Sequence, residues 1–597
     1  MLNKKLREYY TKLPEELSEE AAEHGREIEY SWAVSDIIAA FHLTSCPSYL
    51  PISGFSINSK TIRKGECFIA IKGERFDGHD FLEEAFSNGA ALCIVERPPE
   101  CAVEGKSYVI VENTKLALID LAIYARERTK AIVLGISGSV GKTTVRSWIA
   151  ELLCAADGAG RHDASCGADS VVSTTHNYNG FIGLPLSMLP LSRGTDFGVF
   201  EIGIDSVGAM QKLAGLCKPN IAVLTKVAPA HVAGFPSLEA LAEQKAQLFS
   251  GLREGGVAII HEETCEDFPQ VLRVAREYCS EGRVIPIGQS ERATVRLEKV
   301  QEVRDGWQKR PALITAQVAG VRVQYRFNST NRADIINSLI ALTAALCALY
   351  ARSQDIGSFV DLGCVMRNLW PEIAEPLTER LETLQLPIGR GDVSILQLCC
   401  KNAKAEADDV SIGPLSKPSK SEFCEGDTEH RSGACLDVRE HSSTGSTYQK
   451  TDFEEFGKRS IGTATLIDSS YNANPASMMS ALGDFCDSYA SAPRRIVILG
   501  GMLELGDISD DEHAKIFRFI ANSNIDRVYA LGPAIKPFFD AFSDASPQKA
   551  AVYAESPEKM FQLLSNELIT GDVILAKGSF STNVHKVVSM LKQLFSH

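Results

Sequence analysis

The sequence lacks the features that would place it in a membrane, outside the cell or on a nucleic acid. No uninterrupted apolar run approaches the roughly 20 residues that a membrane-spanning helix needs. The first 30 residues are charged and have no apolar core of the kind found in secretory signals. The net charge of −15 disfavours a nucleic-acid-binding surface, which needs a basic face. We therefore expect a cytoplasmic protein that neither spans a membrane nor binds nucleic acid.

Cysteine pairs of the CxxC type are also missing. The 16 cysteines are scattered, without CxxC pairs and without the spacing of metal ligands. Irregular thiols in a long chain are typical of a reducing compartment, so we interpret them as free thiols. Apolar residues make up 45% and charged residues 23% of the 597 positions, as in ordinary globular proteins. A chain this long exceeds one hydrophobic core and should form several domains.

The order of apolar runs predicts an α/β fold. Residues 1–29 are interpreted as a polar helical extension, and residues 30–130 as a mixed α/β unit. From 131 to 385, short apolar runs alternate with helical patterns, which predicts a mainly parallel sheet covered by helices. Residues 386–597 repeat this rhythm as a Rossmann-like unit. Its polar stretch 400–459 is interpreted as a disordered insertion, with a partner-binding segment as the alternative.

A glycine-rich turn between a strand and a helix predicts a phosphate site. In "GISGSVGKT" the backbone N–H groups can surround a phosphate, and the following helix start adds its positive dipole end. Lys142 can reach the β- and γ-phosphates, and Thr143 can hold Mg²⁺. The common motif has a glycine where this chain has Ile136, so the glycines fall at 135, 138 and 141 instead. A structural glycine turn is the alternative.

A second candidate is a lysine on the apolar side of a helix. Ser237 is a plausible N-cap, and Lys245 falls within the stripe formed by Leu238, Leu241, Ala242, Leu248 and Phe249. A buried lysine loses proton affinity and can become a nucleophilic amine. Such an amine could take up CO₂ as a carbamate and become a metal ligand. The alternative is a lysine whose stem extends to the surface.

Two further polar residues follow predicted strands. Glu201 ends the run "FGVFE", and His231 lies in a loop after "IAVLTKV". Ligands of open α/β sheets bind at the carboxyl ends of the strands, so both residues are candidates for holding Mg²⁺. A histidine without a ligand role is the alternative for His231.

Together these motifs resemble the Mur ligases, an ATP-dependent family that builds the peptide of peptidoglycan precursors. The family's phosphate loop has the spacing of "GISGSVGKT". Further matching segments occur in the family's order across most of the chain, and they are "GERFDGHDF", "AHVAGFPSLEALAEQK", "SYNANPASM", "MLELGD" and "GDVILAKGS". The "YNANP" and "MLELG" segments are typical of the members that attach D-alanyl-D-alanine.

The resemblance implies a UDP-sugar-binding domain, a central P-loop ATPase domain and a Rossmann-like C-terminal domain in a monomer. It also implies ATP, Mg²⁺, UDP-N-acetylmuramoyl-tripeptide and D-alanyl-D-alanine as ligands. The implied catalytic residues are Lys142, Lys245, His231, Arg390 and Asn474. The implied nucleotide contacts are Gly138, Ser139, Gly141, Lys142, Thr143, Thr144, Asn337, Arg390 and Asp468. The implied Mg²⁺ ligands are Thr143, Glu201, His231 and a carbamylated Lys245.

The chain departs from the family pattern around this core. Ser469, Gly501 and Phe580 stand where the family has Asp, Asp and Arg, and Ala333-Asp334 replaces a His-Asn pair. "GIDSVGAM" follows Glu201 in place of "GANHPGEI", and "NSK" (58–60) replaces Asp-Ser-Arg. Two alternatives therefore accompany the ligase hypothesis. One is a nucleotide-binding scaffold with weakened catalysis, and the other is a ligase of this fold with altered substrates, as in folylpolyglutamate synthetases.

Overall fold

The computed structural model describes residues 32–41, 52–73, 76–97, 106–158, 170–175, 177–229, 234–305, 308–353, 361–385, 392–399 and 460–595. The expected helical extension (1–29) and the expected insertion (400–459) lie outside the described residues. Within them, the strands form three main sheets, which contain four, nine and six strands in chain order. The predicted α/β fold with mainly parallel sheets is confirmed.

The first sheet is small and entirely parallel, in the order β1-β2-β3-β4. Its strands are β1 Phe55–Ser56, β2 Cys67–Ile69, β3 Leu92–Val95 and β4 Tyr108–Ile110. The helices of this part are α1 Val34–Phe41, α2 Leu82–Ser87 and α3 Thr114–Arg128, with a 3₁₀ turn at Gly78–Phe81. Asn113 caps α3 by accepting a hydrogen bond from the Leu116 N–H at 2.9 Å.

Helices α1 and α3 join this small sheet to the central part of the chain. The Trp32 indole N–H donates to the Leu189 carbonyl at 3.0 Å. The Arg128 guanidinium lies 4.1 Å from the Trp32 ring centroid and 3.0 Å from the Asp36 carboxylate. One apolar core runs continuously from Trp32 through α3 into the central helices. The first two units therefore share buried surface.

The central sheet has the order β13-β12-β11-β10-β9-β8-β5-β7-β6. Strands β5 to β11 pair in parallel, whereas β11, β12 and β13 form an antiparallel extension. The strands are β5 Ile132–Ser137, β6 Val171–Ser173, β7 Phe197–Glu201, β8 Ile221–Leu224, β9 Val257–His261, β10 Val284–Gly288, β11 Val295–Asp305, β12 Gln308–Val318 and β13 Val321–Phe327.

Helices cover both faces of the central sheet, as its apolar strands require. They are α4 Lys142–Gly158, α5 Gly183–Met188, α6 Ala209–Cys217, α7 Leu238–Ala246, α8 Glu262–Asp267, α9 Pro269–Tyr278, α10 Arg332–Ser353, α11 Leu362–Asn368 and α12 Trp370–Thr383. Short 3₁₀ turns lie at Gln247–Gly251 and Glu281–Arg283.

One described helix, α10, is long and apolar enough to cross a membrane by length and composition alone. Of its most apolar window, 78% is buried inside the protein. Leu339, Leu342 and Leu346 belong to the core between α4 and the central sheet. Burial in this core accounts for the apolar character of the helix, because a helix that is apolar on all sides needs apolar surroundings.

The third sheet has the order β14-β15-β19-β16-β17-β18, with only β14 antiparallel to its neighbour. Its strands are β14 Asp392–Cys399, β15 Ser460–Ser469, β16 Arg494–Gly500, β17 Arg527–Leu531, β18 Ala550–Ala554 and β19 Asp572–Lys577. Its helices are α13 Pro475–Ser488, α14 Ser509–Ala521, α15 Lys536–Ala545, α16 Pro557–Ser565 and α17 Val584–Phe595, and 3₁₀ turns lie at Gly506–Ile508 and Phe580–Thr582.

Candidate active site

The loops of all three sheets line one cleft of about 1620 Å³. The central sheet contributes the loop after β5 and the ends of β7 and β8. The small sheet contributes residues from its 57–61, 71–73 and 76–81 segments, and the third sheet contributes the loops that follow β15, β16 and β19. This arrangement agrees with the rule that ligands of open α/β sheets bind at the carboxyl ends of the strands.

The glycine-rich loop has the geometry of a phosphate cradle. Gly138 and Gly141 have φ angles of 145° and 87°, which favour glycine over other residues. Helix α4 begins at Lys142, whose ammonium donates to the Gly138 carbonyl at 3.0 Å. The N–H groups of Ser139 and Val140 donate to the Lys226 carbonyl at 2.9 and 3.1 Å. The loop is therefore fixed to the end of β8 before any ligand binds.

One buried hydroxyl of this loop is left without a partner. Ser139 is 8% exposed, and its Oγ has no hydrogen-bond partner among the described residues. An unpaired buried hydroxyl is costly unless a ligand pairs with it. Because Ser139 lines the cleft beside Lys142, a phosphate oxygen would satisfy this hydroxyl. The loop thus fits a nucleotide phosphate.

Glu201 and Thr143 meet at the base of the cleft. The Thr143 hydroxyl donates to Glu201 Oε2 at 2.7 Å, and the Asn179 amide donates to Glu201 Oε1 at 2.9 Å. Glu201 is 4% exposed, so it presents a buried charge that needs partners. Oxygen ligands of this kind suit Mg²⁺. Among the described residues no group of three or more His, Cys, Asp or Glu side chains could hold a metal ion, so hydroxyl, phosphate and water oxygens would have to complete such a site.

Lys245 lies on the buried side of α7. Ser237 caps this helix by accepting from the Ala240 N–H at 3.1 Å. Lys245 is 2% exposed, and its ammonium donates to the Gly138 carbonyl at 3.1 Å. The alternative, in which the Lys245 side chain extends to the outer surface, is therefore wrong. Burial lowers the pKa of Lys245 well below its usual range, the nearby Lys142 charge lowers it further, and Glu201 opposes the shift.

Of five other expected site residues, two line the cleft, one does not, and two lie outside the described residues. Asn337 and Asn474 line the cleft, and Asn474 also caps α13 by accepting from the Ser477 N–H at 2.9 Å. Asp468 is 4% exposed and does not belong to the described lining of the cleft. It accepts from the Ser470 hydroxyl at 2.6 Å and pairs with Lys592 at 3.1 Å. His231 and Arg390 lie outside the described residues.

Sequence reasoning missed three residues that shape this site. Asn179 holds Glu201, as described above. Thr225 ties the phosphate loop by donating to the Val140 carbonyl at 2.6 Å, and Lys226 lines the cleft beside it. The signal for Thr225 and Lys226 was their position directly after the apolar strand β8. Asn179 lies in the loop between β6 and α5 but not directly after the strand, so that signal does not mark it, and its contact with Glu201 appears only in the structure.

Three family models match successive parts of the chain. They are described as the Mur ligase family, catalytic domain (residues 51–128), the Mur ligase middle domain (residues 136–345) and the Mur ligase, glutamate ligase domain (residues 453–580). The chain belongs to the Mur ligase family.

Curated and solved relatives match this Mur ligase over most of its length. The UDP-N-acetylmuramoyl-tripeptide–D-alanyl-D-alanine ligase of Rickettsia prowazekii is 24% identical over 532 residues, which cover 89% of this chain and 93% of the relative. A MurF structure from Acinetobacter baumannii has a TM-score of 0.64 at 20% identity and covers 95% of this chain and 99% of its own. MurF ligase from Thermotoga maritima in complex with ADP has a TM-score of 0.57 at 21% identity, with 91% and 97% covered.

The structure of this Mur ligase shows how two of its unusual residues are accommodated. A Cβ atom at Gly501 would lie 2.8 Å from the Ala534 Cβ, so the site has little room for a larger side chain. The Phe580 ring stacks on His585 at a centroid distance of 4.0 Å and meets Tyr471 edge-on at 5.9 Å. Both residues are therefore packed into the wall that the third sheet presents to the cleft.

Proposed function

We propose that this chain joins UDP-N-acetylmuramoyl-tripeptide to D-alanyl-D-alanine with the hydrolysis of ATP to ADP and phosphate. Curated relatives that align over about nine tenths of the chain are named for this reaction. The observation that carries the proposal is one cleft in which the phosphate loop, the Thr143–Glu201 pair and Lys245 face the loops of the third sheet. Because ATP and the precursor are cytoplasmic substrates, we expect the reaction in the cytoplasm.

The first step transfers a phosphoryl group between two anions. An oxygen of the terminal carboxylate of the tripeptide attacks the γ-phosphorus of ATP, and the bond from that phosphorus to the ADP oxygen breaks. The products are an acyl phosphate and ADP. Lys142 and the N–H groups in the first turn of α4 would neutralise the phosphate charge, which is where most of the catalysis of such transfers arises.

The residues of the cleft also fit a divalent cation. Thr143 and Glu201 would hold Mg²⁺, with His231 and a carbamylated Lys245 as further ligands, as the resemblance to the family implies. Mg²⁺ supplies charge neutralisation to the phosphate oxygens. A carbamate on Lys245 would replace a cation with an anion, so its repulsion from Lys142 would become attraction. Burial of the Lys245 amine favours this modification, because its low pKa leaves the nitrogen lone pair available.

The second step forms the amide bond. The neutral amine nitrogen of D-alanyl-D-alanine attacks the acyl carbon, the bond from that carbon to the phosphate oxygen breaks, and the proton of the nitrogen passes to the departing phosphate. The loops with Asn472, Asn474 and Ser579 face the phosphate loop across the cleft. A closed cleft excludes water, which would otherwise hydrolyse the acyl phosphate.

A coupled assay tests the proposal. ADP and phosphate should form only when ATP, the UDP-tripeptide and the dipeptide are all present, and mass spectrometry should detect the UDP-pentapeptide. Binding of ATP without this turnover would instead support the nucleotide-binding scaffold, which the replacements at Ser469, Gly501 and Phe580 motivate. Turnover with a different amine acceptor would support a ligase with altered substrates.

A further inference from the structure

The third domain does not share an apolar core with the central domain. The first two domains are joined by one core that begins at Trp32. By contrast, the described cores of the third domain contain only residues from 396 onward. Among the described helices and strands, none of the central sheet packs extensively against one of the third sheet. In this part of the chain, individual contacts therefore set how the third domain faces the phosphate loop.

A hydrogen bond between two side chains joins these domains directly. The Asn331 side-chain amide, directly before α10, donates to Asp484 Oδ2 on α13. Ser480, one turn earlier on α13, donates to the same oxygen at 3.3 Å. All three residues line the cleft. Burial raises the pKa of Asp484, and Asp487 raises it too, whereas the hydrogen bonds from Ser480 and Asn331 lower it. The contact therefore favours the ionised carboxylate, which accepts stronger hydrogen bonds than a neutral group.

The surroundings of Asn331 fix the direction of its amide. Its Oδ1 accepts from the N–H groups of Ala333 and Asp334 at 2.7 and 3.3 Å, as the N-cap of α10. Its own N–H donates to the Ser329 hydroxyl at 3.0 Å, and that hydroxyl donates to Asp334 Oδ2 at 2.9 Å. Because the cap occupies Oδ1, the Nδ2 atom must face Asp484, and a flipped amide would lose both contacts. Asn331 therefore presents a fixed donor to the third domain.

The two joined helices both lead into the cleft. On α10, the Asn337 side chain lies beside the phosphate loop, because a Cβ atom at Gly141 would be 2.9 Å from its Oδ1. On α13, Asn474 caps the helix start and lines the cleft. Asp484 follows it by about ten residues, or about 15 Å of helix. The contact from Asn331 to Asp484 therefore connects a helix that touches the phosphate loop to a helix that holds the Asn474 loop.

We infer that Asn331 and Asp484 are positioning residues, whose hydrogen bond holds the third domain against the central domain during the reaction. The inference rests on the proposed function, because it concerns how the acyl phosphate is kept from water until the amine attacks. When the domains separate, a water oxygen attacks the acyl carbon, and the bond from that carbon to the phosphate oxygen breaks. The tripeptide carboxylate and phosphate are then released, so ATP is consumed without amide formation.

An interchange of the two side chains tests the inference. Asn331→Asp keeps the cap of α10, because Asp and Asn are equivalent N-caps, but it places a carboxylate against Asp484. We expect UDP-pentapeptide formation to slow about fivefold, the equivalent of about 1 kcal/mol, which one hydrogen bond to a charged group can supply. ADP should then form in excess of pentapeptide. Asp484→Ala, which removes the acceptor, should have the same two effects.

The double variant and a matched control separate this contact from a general effect of charge. Asn331→Asp combined with Asp484→Asn exchanges donor and acceptor, so it should restore both the rate and the equal yields of ADP and pentapeptide. Asp487→Asn removes a carboxylate of the same helix that does not line the cleft. This variant should behave as the wild-type protein does.

Small-angle X-ray scattering gives a readout that needs no turnover. The radius of gyration should increase in Asn331→Asp and in Asp484→Ala, and it should return to the wild-type value in the double variant. An unchanged radius in both single variants, or a double variant that behaves like Asn331→Asp, would overturn the inference. Faster pentapeptide formation in the single variants would also overturn it, because the contact would then hold an unproductive arrangement. If the wild-type protein forms no pentapeptide, the proposed function fails, and the scattering still decides whether the pair holds the domains together.

Discussion

Gly138 offers a direct test of how tightly the phosphate loop is built. A Cβ atom at this position would lie 1.9 Å from the Thr225 Oγ1 and 3.1 Å from the Thr225 Cβ. The Thr225 hydroxyl would have to move, although it donates to the Val140 carbonyl at 2.6 Å. The φ angle of 145° adds backbone strain for any residue other than glycine. Gly138→Ala therefore combines a steric clash, a lost hydrogen bond and backbone strain.

The expected cost can be estimated from these three contributions. Overpacking costs about 1–3 kcal/mol, a lost buried hydrogen bond about 1 kcal/mol, and an unfavourable backbone conformation about 1 kcal/mol. We expect Gly138→Ala to lower the free energy of unfolding of the central domain by about 3 kcal/mol or more. Turnover should fall by about a hundredfold or more, because the Gly138 carbonyl also receives the Lys142 and Lys245 ammonium groups.

Alanine variants of two other glycines measure the backbone contribution without a steric clash. Gly208 has a φ of 79°, and a Cβ added there would meet no atom within 4 Å, so Gly208→Ala should cost about 1 kcal/mol from the backbone alone. Gly483, inside helix α13, has open space and no positive φ. Gly483→Ala should stabilise the third domain by about 0.5–1 kcal/mol, because alanine favours the helix.

Urea unfolding followed by hydrogen exchange and mass spectrometry would measure each domain separately, and the coupled assay would measure turnover. The loop geometry is supported if Gly138→Ala destabilises the protein most, Gly208→Ala destabilises it less, and Gly483→Ala stabilises it. If Gly138→Ala unfolds at the same urea concentration as Gly208→Ala and keeps full turnover, the contact between the loop and Thr225 is wrong.

Three further predictions concern charged groups of the cleft. Lys142→Ala should abolish tripeptide-dependent ADP formation, and an unaltered rate would contradict its role at the phosphates. Lys245→Ala should abolish turnover, with partial recovery in bicarbonate or another small carboxylate; full activity of the variant would contradict the carbamate. Burial raises the pKa of the Asp334 carboxyl to about 6, so its ionisation destabilises the fold increasingly from pH 4 to pH 6. Asp334→Asn should therefore raise Tm at pH 8 and change it little at pH 4, and an equal shift at both pH values would contradict this.

The parallel strands and the phosphate loop could be predicted from the sequence because their signals are local. The apolar run before Gly138 forms strand β5. The runs that begin at Phe197 and Ile221 form strands β7 and β8. A buried parallel strand needs an almost continuous apolar run, and a helix start after glycines needs only neighbouring residues. The fold class followed from the order of these local signals.

The antiparallel extension of the central sheet gave a weaker signal. In β13 apolar residues alternate with polar ones, so four of its seven residues are apolar and no continuous apolar run marks the strand. Strands β11 and β12 each have 11 residues, and six of those in β11 are charged. Pairing with each other, rather than apolar content, stabilises them, and pairing partners are not visible in one segment alone.

In the candidate site, too, features of a single segment could be predicted, whereas contacts between residues far apart in the chain could not. The helical stripe predicted that Lys245 faces the protein, but the partner of its ammonium, the Gly138 carbonyl, lies 107 residues away. Likewise, Asn179 contacts Glu201 from the loop after β6, and Thr143 contacts it from the first turn of α4. Asp468 illustrates the converse, because the motif drew attention to it and the fold pairs it with Lys592 instead of exposing it to the cleft.

The replaced residues leave the proposed phosphate site intact but surround it on several sides. Lys142, Thr143, Glu201 and Lys245, which we propose to act on the phosphates, follow the family pattern, whereas Gly501 and Phe580 lie in the loops of the third sheet, with Ser469 at the end of β15. Phosphoryl transfer depends on charge at fixed positions and tolerates little change. Recognition of the acceptor depends on the shape and charge of a wall that can be repacked, as the stacking of Phe580 on His585 illustrates. The replacements in the third sheet should therefore alter the choice and affinity of the amine, while those at Ala333-Asp334 and at residues 58–60 should alter the affinity for ATP and for the UDP-sugar.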